Sequence, residues 1–77
     1  MDILKWIMNH TCNRQATYYE VGNKTQHIVK WENGDTYQHI EIYDGIVKKH
    51  IETIINGKTV KNEDLEYDCF GWKVIKN

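Results

Sequence analysis

The chain has 77 residues, 40% hydrophobic and 27% charged, with a formal net charge of −1. That profile fits one small globular domain spanning residues 1–77 and excludes multi-domain machinery and a disordered polyelectrolyte. No window approaches the roughly 18 apolar residues of a membrane span, and the opening Met1 to Met8 has neither a basic region nor a long apolar run, so a cytoplasmic protein with no membrane partner is expected.

Asp2 is placed to cap a short helix in which Ile3, Leu4, Ile7 and Met8 form one apolar stripe with Trp6 at its side. The polar run Asn9 to Asn13 ends it. From Thr17 onward, turn dipeptides recur at Gly22-Asn23, Asn33-Gly34, Asp44-Gly45 and Asn56-Gly57, between runs rich in Ile, Val, Thr, Tyr and Trp. Asn-Gly and Asp-Gly suit tight hairpin turns, which need positive φ at their central residues. His27-Ile28, His39-Ile40 and His50-Ile51 recur every 11 to 12 residues ahead of such dipeptides, which is the rhythm of one strand plus one turn.

Two-residue loops predict a register. At Asp44-Gly45 they pair Tyr43 with Ile46, Ile42 with Val47, Glu41 with Lys48, Ile40 with Lys49 and His39 with His50; at Asn56-Gly57 they pair Ile55 with Lys58, Ile54 with Thr59 and Glu52 with Lys61. Extended back through Asn33-Gly34, the rule puts Val29, Trp31, Ile40, Ile42, Val47, Ile51 and Ile55 on the core face. The opposite face then carries Lys30, Tyr37, His39, Glu41, Tyr43, Lys48, His50, Glu52 and Lys61, with Ile28, Ile46 and Ile54 among them.

A helical stripe through Ile46, Val47, His50, Ile51, Ile54 and Ile55 competes with the strand reading, capped by Asp44 and ended by Gly57. The β-branched content and cross-strand charge pairs favour strand. Residues 62–68 are expected to form a helical turn capped by Asn62, and Phe70 to Ile75 a closing strand with Trp72 and Val74 on one side and Lys73 and Ile75 on the other. The predicted fold is therefore α+β, a short N-terminal helix packed on a twisted antiparallel β-meander of four to six strands. The alternative makes residues 45–56 a second helix on a three- to four-stranded sheet.

Catalytic chemistry finds little support. Cys12 and Cys69 lie far apart and outside any Cys-x-x-Cys pair, and are read as reduced thiols. His39 and His50, with Glu63 opposite His50 if the last hairpin extends, supply only part of a zinc site, and His10-x-Cys12 is an isolated pair, so no metal or other cofactor is expected. The chain has no Gly-rich phosphate loop, no His-Glu-x-x-His motif and no serine. Non-enzymatic function is the expectation.

Nucleic-acid binding through Tyr19, Tyr37, Tyr43, Lys30, Lys48 and Lys61 is the second choice, weakened by the single Arg and by the interleaved Glu41 and Glu52. The first choice is a protein-binding module, because nine aromatic residues exceed what one small core and its helix require. Its predicted partner-binding residues are Tyr37, His39, Glu41, Tyr43, Lys48, His50 and Glu52, with the acidic Glu63, Asp64, Glu66 and Asp68 setting orientation. Nine Lys against one Arg, ten Ile and seven Asn suggest a low-GC coding bias, as in a Gram-positive bacterium or one of its phages. The expected role is that of a phage or mobile-element accessory protein that sterically inhibits or redirects a host defence or nucleic-acid-handling protein. An uncovered sheet edge or face offers a further route to a homodimer.

Overall fold

One helix cap and five tight turns decide the architecture of residues 2–75, the part of the chain that the computed structural model describes. Asp2 caps α1 (Ile3–Met8), its Oδ1 accepting the Lys5 N–H at 3.1 Å. Six strands follow: β1 (Arg14–Val21), β2 (Lys24–Trp31), β3 (Thr36–Asp44), β4 (Lys48–Ile55), β5 (Lys58–Asp68) and β6 (Gly71–Val74). Each pairs antiparallel with the next in a single sheet, as the meander expectation requires.

Residues 48–55 are strand, so the second-helix alternative over 45–56 is overturned. The β-branched residues of this segment pair with β3 on one side and β5 on the other, which outweighs the helical stripe. The expected helical turn over 62–68 is likewise the second half of β5, its backbone taken up by β4 and β6. On α1, Leu4 and Met8 are exposed and Trp6 faces the sheet, which rotates the predicted stripe toward Ile3, Trp6, Ile7 and His10.

Two hairpins start as their dipeptides predict, with Val21 opposite Lys24 and Ile55 opposite Lys58. The other two loops are longer. At Asn33-Gly34 the Trp31 N–H donates to the Asp35 carbonyl at 2.9 Å and the Gly34 N–H to the Trp31 carbonyl at 3.0 Å. Only Gly34 has positive φ there, +97°. That is a three-residue loop with a left-handed glycine closing it, and Lys30 rather than Trp31 stands opposite Thr36. At Asp44-Gly45 the pair closing the hairpin is Asp44 with Lys48, because the Val47 carbonyl is claimed by the Tyr67 N–H of β5 at 2.7 Å.

A shift by an odd number of residues turns a strand over. Both loops impose one, so the errors cancel at β4 and only β3 is inverted relative to prediction. Tyr43, Ile42, Glu41, Ile40 and His39 stand opposite Lys49, His50, Ile51, Glu52 and Thr53, not the partners expected. Ile40 and Ile42 therefore leave the predicted core face, Tyr37, His39, Glu41 and Tyr43 join it, and Ile46 and Val47 lie in the loop. A bulge at Val60 makes a further correction, setting Lys61 opposite Thr53 instead of Glu52.

The buried residues Val29, Trp31, Ile51, Thr53, Ile55 and Leu65 all lie on the face that α1 covers, here called the helix face. Among the described residues none on the other, open face is buried. The surface area of 5854 Å² exceeds the roughly 4,900 Å² of an ordinary monomer of this mass. The radius of gyration, 14.0 Å, exceeds the roughly 11.5 Å of a compact chain of this length. The protein is a single sheet with an incomplete second layer.

Candidate binding surface

The two ends of the helix face carry different chemistry. At one end Trp6 meets Trp31 edge-on, with centroids 5.3 Å apart, and the His10 ring stacks on Trp31 at 4.2 Å. His10 Nδ1 lies 2.9 Å from the Trp6 carbonyl and Nε2 lies 2.7 Å from Asp35 Oδ2. Both partners are acceptors, so both ring nitrogens donate when the ring is an imidazolium. The Asp35 carboxylate accordingly raises the His10 pKa, against a smaller opposing effect of desolvation. Asp35 also accepts from Asn33 and Asn56, so one carboxylate joins the helix to two turns.

At the other end the ammonium of Lys49 lies 2.7 Å from Glu41 Oε1, 4.3 Å from the centre of the Trp72 ring and 5.6 Å from that of Tyr43. Tyr67 packs edge-on against Trp72. Burial pushes the Glu41 carboxyl up, but Lys49 and then His39 outweigh it and hold it below the usual range. Between the two ends, His27 stands directly opposite His39.

The open face has a different composition. Ile28, Ile40, Ile42 and Ile54 run across β2, β3 and β4, with Tyr19 and Val21 beside them on β1, and Gln26 donates to Gln38 at 3.1 Å in their midst. Tyr19, Val21, Lys24 and Gln26 line one open depression. Ile42, Lys48, His50, Asp64 and Ile75 line another on the far side of Ile42. Charge is graded across this face. Lys24 and Lys30 mark the β2 side, whereas Glu52, Asp64, Glu66 and Asp68 gather toward β5, with Lys48 and Lys73 between them. His50 Nδ1 is 2.7 Å from Asp64 Oδ1 and Nε2 is 3.6 Å from Glu52, and the Asp64 hydrogen bond is the main cause of a raised His50 pKa.

The predicted binding residues therefore divide. Tyr37, His39, Glu41, Tyr43 and Glu63 are on the helix face; Lys48, His50, Glu52, Asp64, Glu66 and Asp68 share the open face. The aromatic and lysine set considered for nucleic acid also divides, Tyr37, Tyr43 and Lys61 against Tyr19, Lys30 and Lys48. The expected His39–His50 neighbours are on opposite faces, and among the described residues no three His, Cys, Asp or Glu side chains gather as a metal set. Cys12 and Cys69 are free.

Sequence reasoning missed Gln38, Ile40 and Ile42 as components of an uncovered face, because the β3 inversion hid them, and did not single out Val21 or Gln26 beside them. It also missed the His10–Asp35 tie, for which the only signal was the acid following Asn33-Gly34. No family model matches the chain, nor does any curated protein or solved structure.

Proposed function

We propose that the protein is a non-enzymatic binding module that engages a protein partner through its open face. The carrying observation is that Ile28, Ile40, Ile42 and Ile54 on three adjacent strands face away from the helix with no described element packed on them, Ile42 being 40% exposed, and that Val21 beside them on β1 is 76% exposed. Contiguous uncovered apolar surface with a polar rim is characteristic of protein interfaces. The partner surface that complements it has an apolar centre and a cationic margin opposite Glu52, Asp64, Glu66 and Asp68. Binding acts by steric blocking, and the low-GC composition is in keeping with a phage or mobile-element accessory protein directed at a host defence or nucleic-acid-handling protein.

The helix face is the weaker candidate for contact because Trp6 and His10 already pack over Trp31 and occupy part of it. Affinity purification of the full chain from its native host, with cross-linking and mass spectrometry, tests the reading. Ile42→Asp, with circular dichroism confirming the fold, is expected to abolish partner capture, and Tyr67→Ala on the helix face to preserve it. Capture unaffected by Ile42→Asp but lost with Tyr67→Ala would reverse the assignment of faces.

A further inference from the structure

We infer that two copies of this chain pair through β1, antiparallel and about a two-fold axis at Thr17, to form one continuous twelve-stranded sheet. The inference concerns the sheet edge and stands apart from what the open face binds.

The two edges differ. β6 is only four residues long, which is one way proteins blunt an edge. β1 is eight residues long, every one of them exposed, with no proline and no bulge in its register with β2. Its backbone groups point alternately inward and outward. The Glu32 N–H donates to the Asn13 carbonyl, and pairs joined in this way recur every second residue, so Gln15, Thr17, Tyr19 and Val21 bond to β2. Arg14, Ala16, Tyr18 and Glu20 therefore present their N–H and C=O groups to the open edge.

Self-pairing must keep like faces together and join outward-directed residues to one another. With the axis at Thr17, Arg14 stands opposite the partner's Glu20 and Ala16 opposite the partner's Tyr18, each twice. All four outward residues of each copy are then bonded; shifting the axis by one residue in either direction leaves some unpaired. The same register sets two Arg–Glu pairs across the interface and places each tyrosine against an alanine that leaves room for its ring. Backbone satisfaction and charge complementarity thus select one register independently. Among the described residues neither Arg14 nor Glu20 forms an ion pair within the chain, and the two are about 20 Å apart along the strand. Any compensation between them is intermolecular. The contact uses the same edge on both copies and so closes at two, whereas a β1-to-β6 contact would propagate into a fibre.

Sedimentation equilibrium of the full chain tests the inference. A dimer is expected. Arg14→Glu or Glu20→Arg alone should weaken it by about tenfold, since two pairs turn repulsive, and the double reversal Arg14→Glu with Glu20→Arg should restore it. Ala16→Pro removes only an outward-facing N–H and is expected to give a folded monomer by circular dichroism. A wild-type monomer at high micromolar concentration overturns the inference. So does a dimer indifferent to single charge reversal, a double reversal that fails to recover, or assembly beyond two. None of these outcomes bears on Ile42-dependent capture, so the two readings fail separately.

Discussion

His10 and Asp35 are 25 residues apart in sequence and 2.7 Å apart in space, and their contact closes the helix onto the sheet. A six-residue helix does not hold itself together in water. It is held here by the Trp6–Trp31 and His10–Trp31 ring contacts and by this ion pair, in which the His10 side chain is only 8% exposed.

Helix docking should depend on pH in a defined direction. Asp35 raises the His10 pKa, and His10, followed by Asn56, lowers that of Asp35. A raised histidine pKa contributes stability that is complete below the unfolded value of about 6.5 and lost as pH rises through the folded one; a lowered carboxyl pKa contributes stability present above about 3.9 and lost as pH falls through its folded value. Thermal unfolding followed by near-ultraviolet circular dichroism should show a maximum between those limits and a decline toward alkaline pH. His50 adds a decline of the same sign, so the test is the difference between wild type and His10→Gln, which should shrink as pH rises. A difference independent of pH would refute the ion-pair account.

Trp31 is the residue on which both ring contacts converge, and it is 5% exposed. Trp31→Ala should cost about 3–5 kcal/mol, a large part of the 5–15 kcal/mol typical of a domain. Urea unfolding should show a midpoint shifted far to low denaturant or no cooperative transition. A loss below about 1 kcal/mol would mean that Trp31 is not the keystone of this core.

The first four hairpins were legible in the sequence because turn dipeptides and β-branched runs act locally, whereas the second half of β5 was not. Nor was the parity of β3. Whether Asn33-Gly34 closes over two residues or three depends on Asp35, whose carboxylate is held by His10 and Asn56 from remote parts of the chain. The loop after Asp44 depends in the same way on β5, which takes the Val47 carbonyl. Local rules thus located the first four turns but not every loop length, and missed the turn at Cys69-Phe70 between β5 and β6; one inverted strand exchanged Tyr37, His39, Glu41 and Tyr43 for Ile40 and Ile42 on the open face. The acidic residues Asp64, Glu66 and Asp68 were found, but as alternate positions of a strand.

Asn56 combines a backbone and a side-chain role that substitutions can separate. Its φ is +52°, its Oδ1 accepts the Thr36 N–H at 2.7 Å and its Nδ2 donates to Asp35 at 3.1 Å. Asn56→Gly keeps the left-handed conformation and loses the hydrogen bonds, for about 1 kcal/mol. Asn56→Ala loses both, for about 2 kcal/mol. Equal losses by urea unfolding would show that the backbone conformation contributes nothing.

Lys49 offers a test of how the far end of the helix face is held together. Its ammonium is gripped by Glu41 and by the rings of Trp72 and Tyr43, with the side chain 13% exposed. Burial alone raises the Glu41 carboxyl, and Lys49 is the chief influence pulling it down. Lys49→Met preserves length and apolar bulk while removing the charge, so the Glu41 pKa should rise, with His39 left as its remaining cationic neighbour. Carbon-detected NMR titration of Glu41 reads this directly. An unchanged titration would mean that the Lys49 ammonium spends its time in solvent and that the tyrosine and tryptophan cover this end of the sheet without it.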